Sequence, residues 1–95
     1  MIKGIPEPAE DSPTWPHVLR FAKIMEYKLS LNRHKGDRRG WLDSEVFSLL
    51  DRVDDEIEEL NEAIGNLEPA AKVIVEAADV ANFAMMIADH FSDDL

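Results

Sequence analysis

The chain reads as an all-α domain, an N-terminal helix followed by a long helical hairpin. Three observations carry that reading. Apolar residues recur at three- and four-residue spacing through three long segments, which is the signature of amphipathic helices. No stretch shows the strict alternation of a half-buried strand. The helix breakers Gly36, Gly40, Gly65 and Pro69 fall between the long segments or at their ends.

Residues 1–14 carry Gly4, Pro6, Pro8 and Pro13 among several acids, and read as an irregular arm preceding one helical domain over 15–95. Thr14 is a candidate N-cap, with Pro16 in the first turn, where proline is tolerated. That helix runs to about Leu31 and gathers Val18, Phe21, Ala22, Met25 and Leu29 on one face. Asn32 to Gly40 is polar, basic and glycine-containing, and reads as a loop. The second helix starts with Asp43 or Ser44 as N-cap and stops at Gly65, which suits the left-handed C′ position. Its stripe is Leu49, Leu50, Val53, Ile57, Leu60 and Ile64. The third helix starts at Pro69 and continues to about Phe91, with Val73, Val80, Phe83, Ala84 and Ile87 on its main face. The short connection between the last two predicts an antiparallel hairpin. A chain of 95 residues buries a modest core by itself. The expected remedy is a second copy, completing a four-helix-type bundle as a homodimer or homotetramer.

Composition narrows the function classes. There are no cysteines, so disulfides, thiolate metal sites and a cysteine nucleophile are excluded. A net charge of -10 argues against nucleic-acid binding, which rewards clustered Lys and Arg. No apolar run is long enough to span a membrane, and residues 1–6 lack the apolar core of a signal peptide, so a cytoplasmic location is expected. The charge is uneven. Nine of the twenty acids lie between Asp43 and Glu62, and five of the ten bases lie between Lys28 and Arg39. An acidic wall beside a basic loop could hold a metal–polyphosphate complex; two solvated surfaces that pair with each other would leave the same pattern.

Four of the acids fall into two matching pairs. Glu56 and Glu59 lie in the second helix, Glu76 and Asp79 in the third, each pair at i, i+3 and so on one helical face. Helical projection puts Glu56 beside the apolar stripe and Glu59 one step further out, while Glu58 and Glu62 point to solvent. Glu76 falls within the stripe of its helix, and Asp79 on its margin. A carboxylate in an apolar stripe is costly unless a base or a metal compensates it. Lys72, four residues before Glu76, could pair with it, but leaves Asp79 unexplained. Two pairs on adjacent helices of one hairpin point instead to a hard divalent cation, Mg²⁺ or Mn²⁺, held by oxygen ligands.

The same residues carry a family resemblance. Asp55-Glu56-x-x-Glu59, a gap of sixteen residues, then Glu76-x-x-Asp79 resembles the acidic pattern of the MazG-like all-α nucleoside triphosphate pyrophosphohydrolases, relatives of the dimeric dUTPases and phosphoribosyl-ATP pyrophosphohydrolases. Asp55 stands where that pattern has Glu. The likeness extends upstream to Lys35-Gly36 and Gly40-Trp41 and downstream to Asn82-Phe83-Ala84-Met85-Met86, covering residues 18–91. It implies Mg²⁺-dependent hydrolysis of a canonical or modified (d)NTP to the (d)NMP and pyrophosphate, a housecleaning activity on the nucleotide pool. Glu56, Glu59, Glu76 and Asp79 would then be the metal-binding and catalytic set, with Glu59 preferred as general base.

For the substrate, Lys35 is the chosen phosphate contact among Lys28, Arg33, Lys35, Arg38 and Arg39. Trp41 could stack on a base or staple the start of a helix. Asn82, one turn beyond Asp79, could hydrogen-bond a sugar or base. Two rival readings stand beside this one: a related hydrolase acting on dUTP or phosphoribosyl-ATP, and a non-enzymatic helical interaction module.

Overall fold

Residues 4–7 and 12–92 are described by a computed structural model, and among them every regular element is helical. Helix α1 spans Pro16–Leu31, α2 Arg38–Leu42, α3 Val46–Gly65 and α4 Ala70–His90, with a 3₁₀ turn at Arg33–Lys35 between α1 and α2. Of the expected N-terminal arm, residues 1–3 and 8–11 lie outside the described residues, as do 93–95 at the other end.

The helix ends follow from local chemistry. Pro16 occupies the first turn of α1, and Trp15, not Thr14, holds the N-cap position, with φ -59° and ψ 126°. A residue preceding proline is driven out of the α region, so the helix boundary must fall at Trp15. Its carbonyl accepts from the backbone N–H of Val18 and Leu19 at 3.0 and 3.2 Å. The segment 32–40 is not a plain loop. It holds two short helical turns, and Gly36, at φ 114°, lies between them. A Cβ on Gly36 would meet the Cα of Gly40 at 3.4 Å, an ordinary contact, so it is the positive φ that calls for glycine there. Turns this short carry no helical periodicity, which is why the stretch reads as loop.

Helix α3 begins later than expected, with Glu45 at its N-cap. Asp43 and Ser44 are already committed to the end of α2: Asp43 N–H bonds Arg39 O at 3.0 Å and Ser44 Oγ donates to Gly40 O at 3.1 Å. At the other end Gly65 is the last helical residue, not the left-handed one. Leu67 takes that role at φ 53°, two residues on. Leu67 N–H bonds Ile64 O at 3.2 Å and Glu68 N–H bonds Ala63 O at 3.0 Å, the paired bonds of a Schellman motif. Helix α4 follows at once, with the Pro69 carbonyl accepting from Lys72 and Val73.

Helix α4 is the element on which the others pack: α3 along it as a hairpin, α1 across it, and α2 near its C-terminal end. Small side chains permit the approach, with Ala78 of α4 and Ala63 of α3 both buried. Among the described residues Leu49 is the other buried apolar one. The α3 stripe divides: Leu49, Val53 and Leu60 turn inward, whereas Leu50, Ile57 and Ile64 stand exposed at seven-residue spacing. Val18 and Ala22 of α1 and Ala84 of α4 are likewise exposed. Among the described residues no helix is long and apolar enough to cross a membrane.

The position of Gly65 yields a test. An added Cβ there meets nothing within 4 Å, and its backbone is helical. Gly65→Ala is therefore expected to raise stability by about 0.5–1 kcal/mol in urea denaturation; at a left-handed cap the same change would lower it.

Candidate functional site

The α3–α4 interface contains carboxylates where a helical hairpin would ordinarily place leucines. Glu56 projects from α3 in the same row as Leu49, Val53 and Leu60, and Glu76 projects from α4 two residues before the buried Ala78. Each is only 5% exposed. Asp79 follows Glu76 by one turn, and its side chain is 20% exposed. One carboxylate oxygen from each of Glu56, Glu76 and Asp79 lies within 4.8 Å of the others. Glu59, expected as the fourth member, is exposed and outside this group of three. It stays at the rim, because a step of three residues turns it away from α4. A hydrogen bond nevertheless ties it to Glu56.

Each buried acid has its own cation. Arg52 Nη2 lies 3.0 Å from Glu56 Oε1, Lys72 Nζ 2.6 Å from Glu76 Oε1 and Lys28 Nζ 3.4 Å from Asp79 Oδ2. The first two pairs are i, i+4 contacts along one helix, and the third bridges α1 to α4. One buried oxygen, Glu76 Oε2, has no hydrogen-bond partner. An orphaned buried carboxylate oxygen beside two further carboxylates is an arrangement that an oxygen-seeking divalent cation completes. The residues therefore fit Mg²⁺ in donor type, with Glu76 Oε2 the oxygen left to complete.

The electrostatic strain is readable in the carboxyls themselves. Burial, reinforced by the hydrogen bond and charge of Glu59 and the charge of Asp79, pushes Glu56 up to about 7, against the pull of Arg52. Burial also raises Asp79, with Lys28 opposing. The Lys72 ammonium is pushed up by its bond to Glu76.

Glu56 and Asp79 open onto a cavity of about 560 Å³, a size typical of small-molecule sites. Its lining mixes three kinds of group. Lys28, Lys35 and Arg52 supply positive charge; Trp41, Phe83 and Met86 supply apolar surface; Asn82 supplies a buried amide. The Arg52 guanidinium also lies over the Phe83 ring, 5.1 Å from its centroid. Asn82 Nδ2 donates to Met25 O of α1 at 3.1 Å, which fixes the amide so that the remaining atom, Oδ1, is an acceptor without a partner. Glu59 and Glu76 line a separate depression of about 200 Å³, together with Lys72.

Trp41 is positioned by a clamp from the end of α4. Asp89 accepts from Arg38 Nε and Nη2 at 2.8 and 3.0 Å and from Trp41 Nε1 at 2.9 Å, while His90 Nε2 donates to Trp41 O at 2.7 Å. Arg38 and Trp41 hold the Asp89 carboxyl down at about 2, so the clamp stays charged across the ordinary pH range. The indole N–H is thereby occupied and the ring is fixed in the cavity lining.

Of the residues singled out from sequence, the fold brings Glu56, Asp79, Lys35, Trp41 and Asn82 to one cavity, with Glu76 against the two acids and Glu59 at their edge. Arg33 and Arg39 pair locally with Asp37 and Asp43, and Arg38 is drawn into the clamp. Two residues escaped the sequence reading. Arg52 carried a usable signal, since it precedes Glu56 by the same four residues that separate Lys72 from Glu76. Asp89 carried none, because its partners lie about fifty residues upstream. Comparison with family models, with curated proteins and with solved structures returns no match.

The raised Glu56 carboxyl predicts a pH dependence. An unfolded glutamate titrates near 4.5 and this one near 7, so the folded chain holds the extra proton between those values. The resulting stability is full below about 4.5 and is lost as pH rises through about 7. Glu56→Gln should flatten that fall and raise metal-free stability at pH 8 by on the order of 1–3 kcal/mol. Urea denaturation of both proteins at pH 5 and pH 8, in EDTA, measures it; a larger fall in the variant would refute the assignment.

Proposed function

We propose that this chain is a Mg²⁺-dependent nucleoside triphosphate pyrophosphohydrolase, with a MazG-like active site. The single observation that carries the reading is the convergence of Glu56, Glu76 and Asp79 at the edge of a nucleotide-sized cavity that also contains cations and an aromatic ring. The acidic pattern that resembles the MazG-like family falls on these same residues.

In this reading Glu56, Glu76 and Asp79 hold the metal, and Glu59 stands at its edge. When bound, Mg²⁺ supplies charge neutralisation of the triphosphate and polarises the α-phosphorus. The chain's own groups do the rest. Trp41, with its N–H anchored on Asp89, offers a ring face to the base. Asn82, in the cavity lining, is the residue assigned to the sugar or base. Lys35 takes phosphate oxygens. A water attacks the α-phosphorus; its oxygen forms the new P–O bond, its proton passes to Glu59, and the bond to the β-phosphate oxygen breaks with the electron pair leaving on pyrophosphate. Glu59 is exposed, outside the three converging carboxylates, and borders the smaller depression, so this reading sets the attacking water on that side of the cluster.

Self-association belongs to the same reading. Among the described residues the buried apolar ones are Leu49, Ala63 and Ala78, a small core, while Leu50, Ile57 and Ile64 form an exposed line along the 20-residue α3 at the spacing of a helix–helix seam. A second copy packed on that line gives a homodimer or homotetramer. Sedimentation equilibrium should find such a species for the wild type and a shift toward monomer for Ile57→Lys; a monomeric wild type refutes it.

The activity is tested by pyrophosphate release from a panel of NTPs, dNTPs and dUTP, with Mg²⁺ and with excess EDTA. Metal-dependent formation of pyrophosphate plus monophosphate is expected, with a loss on the order of 100-fold in Glu76→Gln and an unchanged helical circular dichroism spectrum. Undiminished turnover in that variant would remove the three carboxylates from the mechanism.

A further inference from the structure

The three cations beside the acids differ in where else they can reach. Lys28 and Arg52 line the large cavity, and Arg52 also borders a third depression among Asp55, Glu58, Glu59 and Glu62; Lys72 lies on the smaller depression, among Glu59, Glu62 and Glu68. Arg52 and Lys72 are about half exposed, so each is tethered at one end only. A carboxylate oxygen that accepts from a guanidinium or ammonium is the same oxygen that a divalent cation needs. Three carboxylates with three monovalent partners are already balanced in charge. Adding a divalent cation leaves an excess of positive charge at the cluster, which the basic side chains relieve by moving away. Both Lys28 and Arg52 face the cavity, where a triphosphate would present several acceptor oxygens, and Lys72 does not.

We propose that Arg52 and Lys28 are triphosphate-binding residues held as counter-ions of Glu56 and Asp79 until a divalent cation takes those carboxylates. Metal and substrate are then coupled: each cation released from an acid becomes a ligand for the phosphates. Lys72 competes with the metal in the same way but faces the other depression, so it takes no part in substrate binding. The proposal rests on the metal centre inferred above.

The coupling has a two-signed signature that a merely structural role lacks. Mn²⁺ binding, followed by electron paramagnetic resonance without nucleotide, reads the competition. Calorimetric titration with a dNTP analogue carrying a methylene between the α- and β-phosphates, at saturating Mn²⁺, reads the substrate contact. Arg52→Met keeps the apolar stem over Phe83 and should tighten Mn²⁺ about threefold to tenfold while weakening the analogue about tenfold. Lys28→Met should repeat both changes. Lys72→Met should tighten Mn²⁺ and leave the analogue unchanged. Weaker or unchanged Mn²⁺ binding in both Arg52→Met and Lys28→Met, beside a wild type that binds Mn²⁺, overturns this proposal alone. A folded wild type that binds no Mn²⁺ overturns the metal centre and this proposal together.

Discussion

The burial of Glu56 and Glu76 between two packed helices is the constraint around which the rest of this molecule is arranged. An isolated carboxylate in an interface of this kind is unfavourable by several kcal/mol. The chain meets that cost by pairing Glu56 and Glu76 each with a base a single turn away on the same helix, while Lys28 of α1 pairs with the neighbouring Asp79. The solution is incomplete. Glu76 Oε2 remains without a partner, and Glu56 holds its proton to about 7. A helical hairpin built for stability alone would have put leucine at both positions. The retained charge is the strongest physical argument that the interface serves binding.

The weak apolar core follows from the same choice. With acids in the seam of α3 and α4, few positions remain for large apolar groups, and the buried ones are Leu49, Ala63 and Ala78. Apolar residues are displaced outward instead, to the line of Leu50, Ile57 and Ile64 and to the outer side of α1. A charged interior and an apolar exterior are thus two aspects of one distribution of side chains in a small domain.

The clamp at the end of α4 solves a different problem. The segment between α1 and α3 has no long helix to hold it, yet it carries Lys35 and Trp41 into the cavity lining. Asp89 and His90 fix it through three side chain–side chain hydrogen bonds and one to backbone, at the opposite end of α4 from the Pro69 cap. Helix α4 therefore supplies two of the three clustered acids, Glu76 and Asp79, and the anchor for the opposing loop. Relative placement of acid and aromatic groups is set within one rigid element, which is the sort of support a binding site needs.

By itself the sequence determined the three long helices, the hairpin and the inward direction of Glu56 and Glu76, because all of these follow from the 3.6-residue period and from steric rules at proline. It also determined that Glu59 would lie further out than Glu56. Tertiary structure alone decided the rest. Which half of the α3 stripe is buried depends on where α4 lies, not on hydrophobicity, since Leu49 and Leu50 are the same residue. The left-handed cap passed from Gly65 to Leu67 because the hairpin connection required two more residues, overriding glycine's preference. The two short helical turns before α3 are joined through Gly36 at positive φ and held by Asp89 reaching Arg38 and Trp41 from about fifty residues away. Contacts over that separation leave no periodic trace in a chain, so only the folded molecule could reveal them.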